Sequence, residues 1–277
     1  MKDELLFSYR DEELYIKHAR SCEPEPGNFP FLSHCHNMYE IYYFLQGSGD
    51  FTVEGNTYSL KRGTLLFTGK GQSHNIHIHF GTGPYERFVI MLGEKQIPQS
   101  ILPVLQTLVE EEKNRFMLKE NDRVWLESCL QMLCRAENYG MSMRETVSSV
   151  IQLLILKLCE HTRTGYQEMW VEDDMVRQII RYANTHLTED WNLDTLENAL
   201  YRNKAYLNRK FKSVMGCSIW EYVMRKRVFC AQQELYLSKS VTAAFETSGF
   251  NDYSAFYRKY VKYIGCSPSE DLKRYLG

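Results

Sequence analysis

The sequence predicts a two-domain α+β protein, and three observations lead to this fold class. Short aromatic and branched runs between Gly, Asn and Pro clusters fill residues 1–92, which is typical of a small β-barrel or sandwich. Apolar residues then recur at helical spacing over residues 98–162. Residues 203–277 resemble themselves at an offset of 49 residues, which indicates a helical unit present twice.

The composition is that of a globular chain without a membrane span. Of its 277 residues, 44% are hydrophobic and 25% are charged. The longest apolar run, residues 150–159, contains Gln152 and Lys157 and is far shorter than the roughly 20 residues that cross a bilayer. Because residues 1–4 are acidic and lack the apolar region of a signal peptide, we expect a cytoplasmic protein. Eight cysteines without a CxxC pair favour reduced, buried thiols over a zinc knuckle or a disulfide framework.

Four strands are predicted in the first part, at 41–45, 49–53, 63–67 and 88–91, where aromatic and β-branched residues concentrate. Glu54, Gly55 and Asn56 predict a hairpin turn between two strands.

The segment after the strands predicts two paired helices. A stripe at spacings of three and four predicts one of them, and either packing on its own domain or a dimer seam would explain it. Its members are Met143, Val147, Val150, Leu154 and Leu158. The other helix, at about 122–137, is expected to present Val124, Trp125, Leu130 and Leu133. A polar linker at 161–165 then divides the chain into residues 1–164, with a barrel at about 1–92 and dimerisation helices at about 98–162, and residues 165–277.

The repeated unit is a helix-turn-helix. Seven positions of the window 209–225 are identical to those 49 residues later, where chance would give roughly one. The units lie at about 193–214 and 241–264, and one long helix at about 218–237 connects them. We expect seven helices in residues 171–277.

The second helix of each unit has an apolar face and a basic, polar face. The polar faces carry Lys204, Ala205, Asn208, Arg209 and Lys212 in the first unit and Tyr253, Ser254, Tyr257, Arg258 and Lys262 in the second. Arg forks onto guanine, Asn onto adenine, and Lys contacts phosphate. Residues 171–277 carry 16 Lys and Arg against 13 Asp and Glu, so this part is positive by three, and the rest of the chain is negative by five. Placement of charge rather than its amount therefore points to double-stranded DNA.

Residues 249–260 and the Gly265, Cys266, Ser267, Pro268 run resemble the C-terminal signature of the AraC family of bacterial transcription regulators. Residues 206–212 resemble the first helix-turn-helix of that family. The resemblance implies base-facing roles for Ala205, Asn208, Arg209, Ser254, Tyr257 and Arg258, and activation through contact with RNA polymerase. The chain departs from the family pattern at Ala244 and Phe245, where large and small residues trade places, and at Glu197 and Arg202.

The first part carries a second resemblance. His34, His36 and Glu40, followed after six residues by Gly47, are similar to the first motif of the cupin barrel. Gly63, Gly69, Gly71 and His74 resemble the second motif. Strand alternation places His34, His36 and Glu40 on one face, which Tyr42, Phe44 and Gln46 continue.

Three imidazoles and a carboxylate suit more than one use. His34, His36, Glu40 and His74 are candidate ligands of a divalent metal, as in cupin enzymes. The same set with Tyr42 and Gln46 is a candidate metal-free effector pocket, for which the family resemblance implies a sugar, and a structural polar cluster is the third alternative.

Together with these residues, the resemblance to the AraC family implies an effector-responsive, homodimeric activator of a catabolic operon that needs no cofactor. One rival is a metal-dependent cupin enzyme, either an oxygenase or an isomerase. Another is a regulator that has lost DNA binding through Glu197 and Arg202 and acts through protein partners.

Overall fold

A computed structural model describes residues 3–21, 33–79, 83–136, 142–163 and 171–276. Its strands are β1 (Asp3–Arg10), β2 (Leu14–Ser21), β3 (Tyr39–Gln46), β4 (Gly49–Val53), β5 (Asn56–Ser59), β6 (Thr64–Thr68), β7 (His74–Ile78), β8 (Tyr85–Leu92), β9 (Arg115–Met117) and β10 (Val171–Glu172). Its helices are α1 (Leu102–Glu110), α2 (Glu120–Cys134), α3 (Met143–Arg163), α4 (Asp174–Thr185), α5 (Leu193–Leu200), α6 (Lys204–Met215), α7 (Ile219–Ser238), α8 (Val241–Glu246), α9 (Tyr253–Ile264) and α10 (Pro268–Leu276). None of these helices has both the length and the apolarity of a bilayer span.

The first part consists of two antiparallel sheets that enclose an aromatic core. The larger sheet has the order β1-β2-β8-β3-β6-β9 and the smaller one β10-β5-β4-β7. Tyr42 and Phe44 from the larger sheet meet Phe51, Tyr58 and Ile76 from the smaller one. The other face of the larger sheet packs against α1, α2 and α3 in a second core. The predicted α+β architecture is thereby confirmed.

The predicted hairpin turn lies between β4 and β5. Glu54 and Gly55 occupy it with φ of 44° and 85°. A two-residue turn with positive φ at both positions matches the twist of the strands that it joins.

The stripe on α3 packs on its own domain. Val147, Leu154 and Leu158 are fully buried there, whereas Leu153 and Leu156 face outward. The expectation for α2 is wrong in part, because Val124 and Trp125 are exposed. The buried face of α2 consists of Leu126, Leu130 and Leu133, whose spacings of four and three already complete a helical stripe.

The second part contains the seven expected helices, and the long α7 joins its two units. Its helix ends repeat at the offset of 49 residues. Asn203 and Asp252 accept the first free N–H groups of α6 and α9, and Gly216 and Gly265 end the two helices in the left-handed region. Leu207 and Phe211 fill the first unit and Phe256 and Tyr260 the second.

The second part docks on the smaller sheet. β10 pairs with β5, and a methyl group at Gly55 would lie 3.1 Å from Ile180 of α4. The predicted linker begins too early, because α3 continues through Arg163. Residues 164 and 165 lie outside the described residues, so the boundary between them stays a prediction.

Candidate functional site

The two second helices, α6 and α9, present the predicted polar faces to solvent. Nine of the ten predicted residues are exposed, and Asn208 is half-buried. The capping residue that precedes each helix accepts its first N–H groups, Asn203 for α6 and Asp252 for α9. The predicted base-facing side chains are thus presented to solvent on two well-capped helices.

Asn208 has a partner inside the protein. Its Oδ1 accepts the backbone N–H of Ile219 at 3.0 Å, at the start of α7. An Asn that grips adenine uses its oxygen and its nitrogen together. In this arrangement one lone pair of the Asn208 oxygen is already used inside the protein, and the amide nitrogen is the donor left to contact a base.

The departures from the family pattern in the first unit are compatible with its fold. Glu197 accepts the backbone N–H of Lys204 at 3.0 Å, so it stabilises the start of α6. The ammonium of Lys204 also contacts Asp194. Arg202 is exposed and leaves the core unchanged. Leu196 and Leu207 are fully buried beside these residues, which shows that the unit packs well.

Three histidines come together in the barrel as predicted. His34 and His74 form a two-way backbone bridge, with N–O distances of 3.0 and 2.9 Å. Ring nitrogen atoms of His34, His36 and His74 all lie within 4.8 Å of one another. His74 is fully buried, His36 is half-buried and His34 is exposed, so the cluster opens on one side.

Backbone carbonyl groups fix the orientation of two of the rings. Nδ1 of His36 lies 3.0 Å from the Met38 oxygen, and Nδ1 of His74 lies 3.0 Å from the Gln72 oxygen. Each Nδ1 therefore donates, and each Nε2 faces a carboxylate oxygen of Glu40, at 3.1 and 3.6 Å.

Glu40 is the charged centre of the cluster. Burial alone would raise the pKa of its carboxyl group, but His74 and His36 outweigh that effect and hold the pKa below its usual range. For His74, burial lowers the pKa and Glu40 raises it, with a net upward shift. The cluster thus combines the carboxylate of Glu40 with the imidazole of His74, whose protonated form that carboxylate stabilises.

The donor set fits a divalent transition metal. Nε2 of His74 is buried and has no hydrogen-bond partner among the described residues. A nitrogen in that position, beside two further imidazoles and a carboxylate oxygen, is a suitable ligand for Zn²⁺ or a related ion.

Gln46 does not join this group, contrary to the predicted alternation. The pairing of β3 with β8 shifts between Phe44 and Gln46, so a bulge turns Gln46 to the other face of the sheet. Gln46 there lines a cleft of about 730 Å³ with Glu86, Phe88 and Gln131. Tyr42 stays inside the barrel, where its hydroxyl contacts that of Tyr85.

A buried arginine connects the two helix-turn-helix units through contacts that were not predicted from the sequence. The buried Arg227 of α7 donates to the carbonyl groups of Leu187 at 2.7 Å, Glu189 at 2.6 Å and Gly249 at 2.5 Å. The three consecutive basic residues 225–227 could have indicated this contact. They point in different directions around α7, and because that helix is buried on several sides, one of them must lie inside the protein.

A sensor-like barrel joined to two tandem helix-turn-helix units defines a DNA-binding regulator. The family description "AraC-like ligand binding domain" matches residues 27–126, and "Helix-turn-helix domain" matches residues 196–274. The chain belongs to the AraC family of transcription regulators, and it is a regulator rather than an enzyme.

Three known proteins illustrate the similarity. The lactose operon transcription activator of Staphylococcus xylosus is 21% identical over 81% of this chain and 80% of that protein. The HTH-type transcriptional activator RhaS of Citrobacter koseri is 21% identical over 90% of both. The crystal structure of ToxT from Vibrio cholerae O395 has 15% identity over 96% of this chain and all of that one, with a TM-score of 0.41.

Proposed function

We propose that the chain is an effector-responsive transcription activator that binds promoter DNA through α6 and α9 in the cytoplasm. The observation that carries this proposal is the repetition of an exposed Arg-bearing face, with Arg209 and Arg258 at equivalent positions. The proposed DNA contacts are Lys204, Ala205, Asn208, Arg209, Lys212, Tyr253, Ser254, Tyr257, Arg258 and Lys262. Activation through RNA polymerase is proposed because two relatives are named as activators.

Binding to promoter DNA tests the proposal. The wild type and the double variant Arg209→Ala/Arg258→Ala are compared at two salt concentrations, with promoter DNA and unrelated DNA. Loss of both arginines should abolish the preference for promoter DNA, because each base contact contributes about 1 to 3 kcal/mol of discrimination. Arg274→Ala, an exposed arginine on α10, serves as the control. Equal preference in the wild type and the double variant would refute the assignment.

The effector site is proposed at His34, His36, Glu40, Tyr42 and His74. Histidine and carboxylate groups suit the hydroxyls of a sugar, and the name of the Staphylococcus xylosus relative supports a sugar as the class. Thermal unfolding with a panel of mono- and disaccharides tests this, because a ligand that binds only the folded state raises the midpoint. His36→Ala should remove the shift.

A metal is the second candidate for this site, favoured by the buried Nε2 of His74, which makes no hydrogen bond among the described residues. Metal analysis of the purified chain distinguishes the two candidates. One equivalent of metal that is lost in His36→Ala supports the metal. Metal-free protein that responds to a sugar supports the effector pocket.

A further inference from the structure

A second cleft lies on the face of the larger sheet that packs against the helices, away from the three histidines of the barrel. It measures about 730 Å³ and is lined by strands of that sheet and by α2. Leu6, Leu45 and Phe88 give it apolar walls, and Cys134 of α2 borders the same space. Apolar walls with a few polar groups are typical of a site for a small organic molecule.

A cysteine, a histidine and a glutamate stand in line in this cleft. Sγ of Cys134 lies 4.0 Å from Nδ1 of His18, and Nε2 of His18 lies 2.8 Å from a carboxylate oxygen of Glu86. Because Nε2 faces a carboxylate, it carries the proton of the neutral ring, and the lone pair of Nδ1 faces the thiol. A thiol within reach of a base that a third group orients is the arrangement of an activated nucleophile.

The neighbours of His18 hold its ring in this orientation. Arg20 donates to the other oxygen of Glu86 through Nε at 2.9 Å and Nη2 at 2.8 Å, which fixes the carboxylate beside His18. The ring of His18 also stacks on that of Phe88, with 4.0 Å between the centroids and 15° between the planes. The base is therefore in position before any ligand enters the cleft.

Cys134 depends on this base for its reactivity. Burial raises the pKa of its thiol to about 11, against a smaller lowering by Arg135. The thiol is therefore protonated at neutral pH, and it becomes nucleophilic when a base takes its proton as the new bond forms. Cys129, on the same helix, is also half-buried and its pKa is also raised by burial, but it makes no hydrogen bond with a histidine of the described residues.

We propose that Cys134 is a modification site, at which a small α,β-unsaturated carbonyl compound bound in the cleft forms a covalent adduct. The apolar walls favour such a planar organic molecule. The site goes beyond the proposed function, because it is separate from the effector pocket and from the DNA-binding helices.

The reaction needs no further reactant. Sγ of Cys134 attacks the β-carbon while its proton moves to Nδ1 of His18, and the π electrons of the C=C bond move onto the carbonyl oxygen. Arg135, an exposed cation that lines the cleft, suits this oxyanion. The proton then passes from His18 to the α-carbon, so that an S–H bond and a C=C π bond are replaced by a C–S bond and a C–H bond. One adduct forms per chain, so this is a modification of a regulator and not enzymatic turnover.

Mass spectrometry of the labelled full chain tests the proposal. The protein is incubated with cyclohex-2-enone at pH 7, and the rate of adduct formation at each cysteine is read from its peptides. Cys134 should react at least about 10-fold faster than Cys129, because it alone of the two has a positioned base. Cyclohexanone, which lacks the C=C bond, should leave every cysteine peptide at its original mass. Labelling of Cys134 no faster than that of Cys129 would overturn the proposal.

Two variants remove the base or its orientation. His18→Phe keeps an aromatic ring against Phe88 but accepts no proton, and it should slow the labelling of Cys134 by about 100-fold, the lower end of what a positioned base contributes. Glu86→Gln removes the carboxylate that orients His18 and should slow it by a smaller factor. His77→Phe, which removes an exposed imidazole on β7, is the matched control and should label like the wild type.

The pH dependence of labelling distinguishes a base from a residue that only packs. In His18→Phe the thiolate alone reacts, so the rate should rise about 10-fold for each pH unit between pH 7 and pH 9, below the thiol pKa of about 11. In the wild type His18 takes the proton, and the rate should rise much less over the same range. Equal slopes in the two proteins would show that His18 is not the base.

The outcome is independent of the proposed function, because the adduct is measured on the protein without DNA. His36→Ala, which alters the proposed effector pocket, should label at Cys134 like the wild type. If His36→Ala prevents labelling, the compound reaches Cys134 through the barrel, and a separate site in the cleft is wrong. If Cys134 fails to react in the wild type while promoter DNA is bound selectively, the modification site is wrong and the proposed function stands.

Discussion

Asn208 combines a contact within the fold with a proposed contact to DNA. Its oxygen accepts the backbone N–H of Ile219 at the start of α7. Asn208→Ala should lower the free energy of unfolding by about 1 kcal/mol, the usual cost of losing a capping side chain. Asn208→Asp keeps the capping oxygen, so its stability should match the wild type, but it should lose DNA affinity because it loses the amide donor and adds a negative charge. Urea unfolding and promoter binding measure the two effects.

The same two measurements would show if either role of Asn208, the cap or the DNA contact, were wrong. An Asn208→Ala variant as stable as the wild type would show that the cap contributes nothing. Wild-type DNA affinity in Asn208→Asp would remove Asn208 from the proposed contacts.

Glu86 gives the barrel a defined response to acid. Its carboxylate lies 2.8 Å from Nε2 of His18 and 2.9 Å from Nε of Arg20. Burial alone would raise the pKa of Glu86, but the hydrogen bonds from His18 and Arg20 outweigh it and place the pKa below its usual 4.5. The stabilisation is therefore complete above about pH 4.5 and is lost as the pH falls through the lowered pKa. Glu86→Gln should be less stable than the wild type at pH 7 and should lose less stability between pH 4.5 and pH 3.

Thermal unfolding at pH 7, 4.5 and 3 checks this response. Glu110→Gln, an exposed glutamate on α1, is the control for removing one charge. Parallel pH profiles in Glu86→Gln and the wild type would contradict the role of Glu86.

At this scale the sequence predicts which residues meet when a regular strand or helix connects them. Glu40 and Tyr42 lie two residues apart in β3, and Leu207 and Phe211 follow helical spacing. His34 and His36 lie outside β3, so strand alternation does not account for their place in the cluster, and an isolated bridge to His74 holds His34 there. Gln46 fails because one extra residue in β3 reverses its face, and no residue type marks that bulge.

At the scale of the elements, the second helix-turn-helix unit has a buried cluster of polar side chains around α10 that the first unit does not repeat. The buried Asp271 of α10 accepts from Gln232 at 2.8 Å, Tyr236 at 3.0 Å and Tyr260 at 2.6 Å. Asp271→Ala should lower the free energy of unfolding, measured with urea, by about 2 to 3 kcal/mol or more, because it leaves buried donors of α7 and α9 without an acceptor. Asp271→Asn retains one acceptor and should cost less. If the two variants lose the same free energy of unfolding, packing rather than hydrogen bonding determines the loss.

The repeat predicts the elements but not how each copy uses them. At the offset of 49 residues, Asp271 corresponds to Tyr222. In the second copy this position closes its own core, and in the first it reaches out to Glu54 of the barrel. The sequence identities fix caps and core positions because those depend on neighbours within one unit. They carry no information about which copy faces another domain.

For the same reason, contacts between distant parts of the chain could not be predicted from the sequence. Lys226 forms an ion pair with Glu54, 172 residues away in the chain, and each residue alone is typical of a solvated charge. Only the docking of α7 on the barrel buries them. The division into a barrel and a DNA-binding part was predictable because each has its own periodicity.

The outer face of α3 bears on whether the whole molecule forms a homodimer. The predicted seam on α3 is used inside the domain, since Leu154 is 2% exposed. Leu153 and Leu156, 44% and 53% exposed, form an adjacent apolar pair on the outer face of α3. A homodimer, if built on α3, therefore uses this outer face, and Leu156→Lys should shift the full chain toward monomer while leaving its thermal midpoint unchanged.

Sedimentation equilibrium over a range of protein concentrations measures that shift. Leu154→Lys places a charge in the core and should unfold the domain instead, which separates the two faces of α3. Gln106→Lys, exposed on α1, controls for the added charge. If Leu156→Lys associates like the wild type, the dimer surface lies elsewhere. If the wild type stays monomeric with promoter DNA bound, the homodimer itself is wrong, and each chain then relies on its own α6 and α9 for the whole recognition of its site.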